Sequence, residues 1–196
     1  MVSYRLERGL VHVYTGNGKG KTTSSLGLAL RACGHGLKTY MVQFLKIGYS
    51  GEIFSLKKFG LPIFIHSFNV KCKNQAQHDE EIKNGTFSGY CKDCFVPNQY
   101  DPIMAREAFD AGKEAVERGE YDLVIFDELN VALNMGLLDV QPVLDLIKNK
   151  PLHTELVITG RNARQEIMDV ADYVTVMDLK RHPYMQKIYA RKGIEF

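Results

Sequence analysis

The sequence has no long apolar run and no strong charge of one sign, and each absence excludes a class of protein. No stretch approaches the roughly 20 apolar residues that a membrane span needs, and the first eight residues lack the apolar block of a secretion signal. The formal net charge of +2 is too small to indicate a nucleic-acid or membrane-surface partner. We therefore expect a cytoplasmic protein whose partners are small molecules.

Short β-branched and aromatic runs alternate with helix-like segments, which is typical of an α/β fold with a mostly parallel sheet and helices on both faces. Strands are predicted at Leu10–Tyr14, Thr39–Leu45, Ile63–Ser67, Leu123–Phe126, Leu156–Thr159 and Tyr173–Met177. Helices are predicted at Thr22–Cys33, Pro102–Arg118, Val140–Lys148 and Arg164–Ala171. A sheet of about six strands follows from this alternation.

The clearest chemical motif is a glycine-rich loop between the first predicted strand and the first predicted helix. Its glycines let backbone N–H groups turn toward phosphate oxygens, and the following helix offers its positive N-terminus. Lys21 is placed to reach the terminal phosphates, and the Thr22 hydroxyl to bind magnesium. The loop has Thr15 where the usual pattern has glycine, and it carries a further cation, Lys19. The predicted ATP-binding residues are Gly16, Asn17, Gly18, Lys19, Gly20, Lys21, Thr22 and Thr23.

Two adjacent carboxylates, Asp127 and Glu128, follow the predicted strand at Leu123–Phe126. In P-loop proteins a carboxylate at such a strand end holds the magnesium ion of the nucleotide. Adjacent strand residues point to opposite faces, so one of the two could cap the next helix while the other reaches the ion. Loop and carboxylates together predict a single P-loop NTPase-like domain over residues 1–196.

The segment 68–100 does not fit this pattern, because it is polar and lacks helical or strand periodicity for most of its length. Since loops beyond about 15 residues are usually functional or separately organised, we predict an irregular insertion. Cys72, His78, Cys91 and Cys94 could form a tetrahedral zinc site there, with His66 as an alternative to the other histidine. A redox pair, an iron–sulfur centre and three free thiols are the other interpretations.

Five blocks of the sequence resemble the P-loop ATP:corrinoid adenosyltransferases. They are TGNGKGKTT at 15–23, VQFLK at 42–46, FDELN at 126–130, LVITGRNA at 156–163 and ARKGIEF at 190–196. The last two blocks carry the assignment, because many unrelated NTPases share the phosphate loop. The middle of the chain departs from the family pattern, and its aromatic residues cannot be matched to those that approach the corrin in family members.

The resemblance implies that cobalt(I) of a corrinoid attacks the 5′ carbon of ATP, so that the 5′-deoxyadenosyl group is transferred and triphosphate leaves. It implies Mg-ATP and a corrinoid in cobalamin biosynthesis or salvage, an electron-donating reductase and a homodimer. Cobalt(I) as nucleophile also accounts for the lack of a recognisable Ser/His/Asp arrangement in the sequence. The protein would align the reactants and stabilise the triphosphate, with Lys21, Lys19 and Arg161 as predicted catalytic residues.

Other interpretations remain open from the residues alone. The segment from His182 through Lys187 to the tail 190–196 either lines the corrinoid side or packs across the sheet. A nucleoside or nucleotide kinase with a zinc lobe would use Glu128 as its base. An ATP-dependent regulatory protein would need a water-positioning residue and a partner surface, and the sequence identifies neither.

Overall fold

The apolar runs form six strands in the computed structural model, which describes residues 5–46, 50–69, 72, 74–87, 91 and 98–195. The strands are β1 (Val11–Thr15), β2 (Thr39–Lys46), β3 (Ile63–Asn69), β4 (Leu123–Asp127), β5 (Glu155–Thr159) and β6 (Tyr173–Val176). They form one sheet in the order β3-β2-β4-β5-β1-β6, and every neighbouring pair is parallel. The predicted parallel sheet is confirmed.

Seven α-helices lie in the described residues. They are α1 (Lys21–Gly34), α2 (Gly51–Phe59), α3 (Gln75–Lys83), α4 (Asp101–Arg118), α5 (Leu129–Asn134), α6 (Gln141–Asn149) and α7 (Gln165–Asp169). A short 3-10 helix follows at Pro183–Gln186. None of these described helices combines the length and hydropathy needed to cross a bilayer.

Apolar side chains cover both faces of the sheet. On one face Phe126 of β4 packs in a core that includes Phe109 of α4. On the other face its neighbour in the strand, Ile125, shares a second core with Ala29 of α1. Strand residues alternate between the two faces, so a continuous apolar run such as β4 serves both cores.

Three helices were not predicted, namely α2, α3 and α5. Helix α3 lies inside the segment 68–100, where the prediction of irregular structure is wrong for nine residues. In this helix only His78 is buried, so there is no repeating apolar face for sequence periodicity to detect. The β3 strand also extends two residues beyond its prediction, as far as Asn69.

The topology brings three strand ends to one edge of the sheet. Strand β1, which leads into the glycine-rich loop, lies between β5 and β6, and β4 lies on the other side of β5. Because all strands are parallel, the ends of β1, β5 and β4 face the same side. Open parallel sheets bind ligands at this carboxyl edge.

Candidate functional site

The loop from Gly16 to Gly20 connects β1 directly to α1, as predicted. Gly16 has φ of 93°, and a Cβ atom there would lie 2.4 Å from the carbonyl oxygen of Met177. The N–H of Gly18 donates to that same carbonyl over 2.7 Å. Glycine is therefore required where the loop passes the chain that leaves β6, while Asn17 and Lys19 are exposed.

Lys21 folds back over the loop at the start of α1. Its ammonium donates to the carbonyl oxygens of Gly16 and Gly18, both over 2.8 Å, and the residue is only 7% exposed. Burial lowers the pKa of Lys21, and the charge of Arg161 lowers it further, against the opposing charges of Glu128 and Asp127. The predicted phosphate-binding lysine is thus held inside the loop within electrostatic range of Arg161.

A network of hydroxyl and carboxylate groups joins α1, β4 and β5. The Thr22 hydroxyl donates to Asp127 Oδ1 over 2.8 Å, and the Thr159 hydroxyl donates to the same oxygen over 2.7 Å. The Thr159 hydroxyl also accepts the N–H of Glu128 over 3.0 Å. Asp127 is completely buried, so these contacts fix its carboxylate beside the loop. Thr23 lies next to this network on α1 and is exposed.

The second oxygen of Asp127 faces β2. The Gln43 amide donates to Oδ2 over 3.3 Å, and the Lys46 ammonium lies 3.5 Å from it. The register of β2 against β3 shifts between these two residues, and Leu45 has φ of 54°. Such a bulge redirects the following side chain, which brings the cation to the carboxylate.

Glu128 leaves the strand instead of continuing it. Its φ of 67° places it in the left-handed region, where it occupies the N-cap position of α5 without a side-chain capping bond. Burial raises the pKa of Glu128, and the charge of Asp127 raises it further. Since Glu128 and Lys21 act on each other's pKa, this turn keeps both carboxylates on the loop side.

Lys46 responds to the same negative charge. Burial alone would lower the pKa of Lys46, but the charges of Asp127, Glu128 and Glu52 outweigh it and raise the pKa. The carboxyl edge of the sheet thus concentrates both signs of charge within a small space.

The remaining predicted cations differ in their surroundings. Lys19 donates to Glu195 over 2.9 Å and to the Ile194 carbonyl over 3.3 Å. Hydrogen bonds from Arg191 and Lys19 lower the pKa of Glu195 to about 2. Residues 183–195 are exposed, so the described tail touches the loop and does not pack across the sheet. Arg161 is exposed in the turn that follows β5.

The cysteine-bearing segment brings Cys72, His78 and Cys91 together, with their ligand atoms all within 4.8 Å of one another. Cys94 lies outside the described residues. His66 lies on β3, where it stacks on Phe68 with ring centroids 4.3 Å apart, and it is not a member of this group.

Sequence reasoning missed Gln43, Lys46 and Thr159 as partners of Asp127. Gln43 and Thr159 are polar, completely buried and set in otherwise apolar strands. A polar residue at a strand's carboxyl end is a signal that could have identified them. Lys46 lies beyond the bulge in β2, and no local sequence feature predicts that its side chain turns toward Asp127.

Comparison with known proteins gives a family match over nearly the whole chain. The family model described as "ATP:corrinoid adenosyltransferase BtuR/CobO/CobP" matches residues 7–196. A corrinoid adenosyltransferase of Pseudomonas aeruginosa is 34% identical over 193 residues, which cover 98% of this chain and 86% of the relative. One from Sinorhizobium sp is 34% identical over 192 residues, with coverage of 97% and 81%. One from Escherichia coli strain K12 is 28% identical over 191 residues, with coverage of 97% and 87%.

Proposed function

This chain belongs to the BtuR/CobO/CobP family of ATP:corrinoid adenosyltransferases. We therefore propose that its glycine-rich loop binds the triphosphate of ATP, which is the leaving group of the reaction. The enzyme transfers the 5′-deoxyadenosyl group of ATP to the cobalt of a corrinoid. Neither kinase nor regulatory activity is favoured by this membership.

The reaction needs no protein nucleophile. Cobalt(I) supplies both electrons of the new Co–C5′ bond, and the C5′–O bond breaks with its electron pair moving to the triphosphate. Negative charge therefore grows on an oxygen of the α-phosphate, and fixed cations stabilise such charge more in the transition state than in the ground state. The observation that carries the proposal is the buried Lys21 ammonium inside the loop. Arg161, within electrostatic range, and Lys19 add positive charge nearby.

Magnesium fits the oxygen atoms beside the loop. Thr22 Oγ1 and Asp127 Oδ1 lie beside the loop, joined by a hydrogen bond of 2.8 Å, and hydroxyl and carboxylate oxygens are ligand types that magnesium would accept. We assign the ion to these two oxygens, with Glu128 beside them. When bound, magnesium neutralises charge on the phosphates.

A spectroscopic assay tests this function. The protein is mixed anaerobically with ATP, magnesium and a chemically reduced corrinoid, and formation of the cobalt–carbon bond is followed by absorbance. Ion-exchange chromatography then identifies the anion released, and we expect intact triphosphate in equal amount to the alkylated corrinoid. An unchanged spectrum together with ADP formed on addition of a nucleoside would favour a kinase and refute the proposal.

We propose a cytoplasmic homodimer of single-domain chains, supplied with electrons by a reductase because cobalt must reach the +1 state. In support of the dimer, edge strand β6 exposes Tyr173, Val174 and Val176, apolar side chains that a second copy would cover. Sedimentation velocity at micromolar concentration should give twice the mass of the chain, and a monomer at all concentrations would contradict the dimer.

A further inference from the structure

We propose that Cys72, His78 and Cys91 hold a structural zinc ion in the segment between β3 and α4, a site that the adenosyl transfer itself does not require. The described part of this segment, residues 72, 74–87 and 91, is called the cysteine lobe below. It follows β3, whose Asn69 pairs with Lys46 at the carboxyl edge of the sheet. The lobe is thus attached beside the nucleotide site and is distinct from it.

The distances between the three side chains suit one tetrahedral ion. The sulfur atoms of Cys72 and Cys91 are 3.9 Å apart, and two ligands with Zn–S bonds of about 2.3 Å at the tetrahedral angle lie about 3.8 Å apart. A disulfide would need a separation of about 2.05 Å. The imidazole of His78 completes the group, since all ligand atoms lie within 4.8 Å of one another.

Backbone and amide donors surround the sulfur atoms. The N–H of Asn74 donates to Cys72 Sγ over 3.4 Å, and its side-chain amide donates to Cys91 Sγ over 3.9 Å. Hydrogen bonds to the ligand atoms are the usual surroundings of a metal site and hold its side chains in place. The N–H of His78 donates to the Asn74 carbonyl over 3.0 Å, which places the imidazole one helical turn away.

Few of the lobe's described residues are buried. Among its described residues only Cys72, His78 and Phe87 are buried, and the Phe87 ring packs on the imidazole with centroids 5.3 Å apart. Two of the three buried side chains are therefore metal-ligand types. Where the described part of a segment buries so few side chains, a structural metal is a suitable source of folding free energy.

Zinc suits this donor set better than the alternatives. Two thiolates and an imidazole are soft or borderline ligands, typical of structural zinc, whereas magnesium takes oxygen ligands. Iron–sulfur clusters are usually held by four cysteines, and the sequence has only three between 68 and 100. Cys94, three residues after Cys91, is available in the sequence as a fourth ligand. Binding of Zn²⁺ releases the protons of the coordinating thiols to the buffer.

Metal analysis of the full-length enzyme, purified without chelators, is the direct test. We expect about one zinc per chain, and loss of most of it in Cys72→Ser and in Cys91→Ser. Cys33→Ser is the matched control, because this partly buried cysteine lies on α1 and should leave the zinc content unchanged. Full retention of zinc in both lobe variants would overturn the ligand assignment. Iron with acid-labile sulfide in place of zinc would overturn the choice of metal.

A second measurement uses the wild-type enzyme and needs no substitution. Zinc is removed from the wild-type enzyme with a chelator, and Co²⁺ is added as a spectroscopic probe. We expect the strong visible bands of tetrahedral cobalt and a thiolate charge-transfer band. Hydrogen exchange at α3 (Gln75–Lys83) should slow on metal addition, while exchange in β4 stays the same. Absence of the bands together with unchanged α3 exchange would overturn the proposal, whatever the adenosyl transfer assay gives.

Discussion

At the residue scale, Lys21 combines a structural cost with a catalytic benefit. Its ammonium is buried and its pKa is lowered, which means that burial disfavours the charged form of the side chain. The same charge is placed to bind a phosphate group. We predict that Lys21→Ala lowers kcat/KM for ATP by at least about 100-fold without lowering the melting temperature. Steady-state kinetics and thermal denaturation measure the two effects. The control is Lys38→Ala, at an exposed lysine before β2, which should retain full activity.

Thr159 tests how the carboxylate of Asp127 is held. Thr159→Val keeps the shape but removes a hydroxyl that donates to Asp127 and accepts the N–H of Glu128. Because buried polar groups lose their partners, we predict a loss of about 1–3 kcal/mol in the free energy of unfolding and a higher magnesium requirement. Urea denaturation and a magnesium titration of activity measure these.

Thr39→Val is the matched control for that experiment. The Thr39 hydroxyl is also buried in a strand, but it has no hydrogen-bond partner among the residues that the structure describes. Replacing it should leave stability unchanged or raise it, since an unsatisfied polar atom is removed. Equal losses in the two variants would show that the contacts of Thr159 contribute nothing specific.

The raised pKa of Glu128 leads us to expect that the stability of the folded enzyme depends on pH. Burial and the charge of Asp127 raise the pKa of Glu128 above its ordinary value of 4.5, so the folded state binds the proton more tightly than the unfolded state. Above both pKa values the folded enzyme therefore carries an unfavourable charge that Glu128→Gln removes. The variant should gain a few degrees in melting temperature at neutral pH, and the gain should disappear below pH 4.5. A gain of the same size at every pH would contradict this explanation.

At the element scale, the site depends on a close contact between the end of β5 and the start of α5. Gly160 has φ of 129°, and a Cβ atom there would lie 2.9 Å from Asn130 Cβ and 3.0 Å from the N atom of Val131. Helix α5 begins directly after Glu128, so displacing it moves both carboxylates. Gly160→Ala should lose about 1–3 kcal/mol of stability and much of the activity.

Gly27→Ala separates this steric effect from the general effect of removing a glycine. Gly27 lies within α1, and apart from its chain neighbours and the helix's own backbone no described atom lies within 4 Å of the position of an added Cβ. Alanine favours helices over glycine, so this control should gain about 0.5–1 kcal/mol. Denaturant unfolding of the pair compares them directly, and a similar change in both would exclude the close contact as the cause.

At the scale of the whole molecule, the local sequence predicted where the strands lie in the chain better than it predicted which strands pair in the sheet. Short-range patterns predicted the loop between β1 and α1, and they placed the ends of β1 and β4 at Tyr14 and Phe126, one residue short of the observed ends at Thr15 and Asp127. That β5 lies between β1 and β4, and that Thr159 consequently touches Asp127, depends on pairing between distant parts of the chain. Helix α3 escaped prediction because its buried residue is a histidine within a polar sequence.

The strand order has a consequence for how the enzyme is made. Among the described strands, β1 pairs with β5 and β6, which are encoded after residue 154. Chains emerge from the ribosome N-terminus first at about 5–20 residues per second. Strand β2 pairs with both β3 and β4, so these three strands can associate earlier. At that stage β1 has been synthesised, but its native partners have not. We therefore expect the nucleotide loop to reach its native surroundings only after β5 and β6 have been synthesised, so that ATP binding would stabilise a late step of folding.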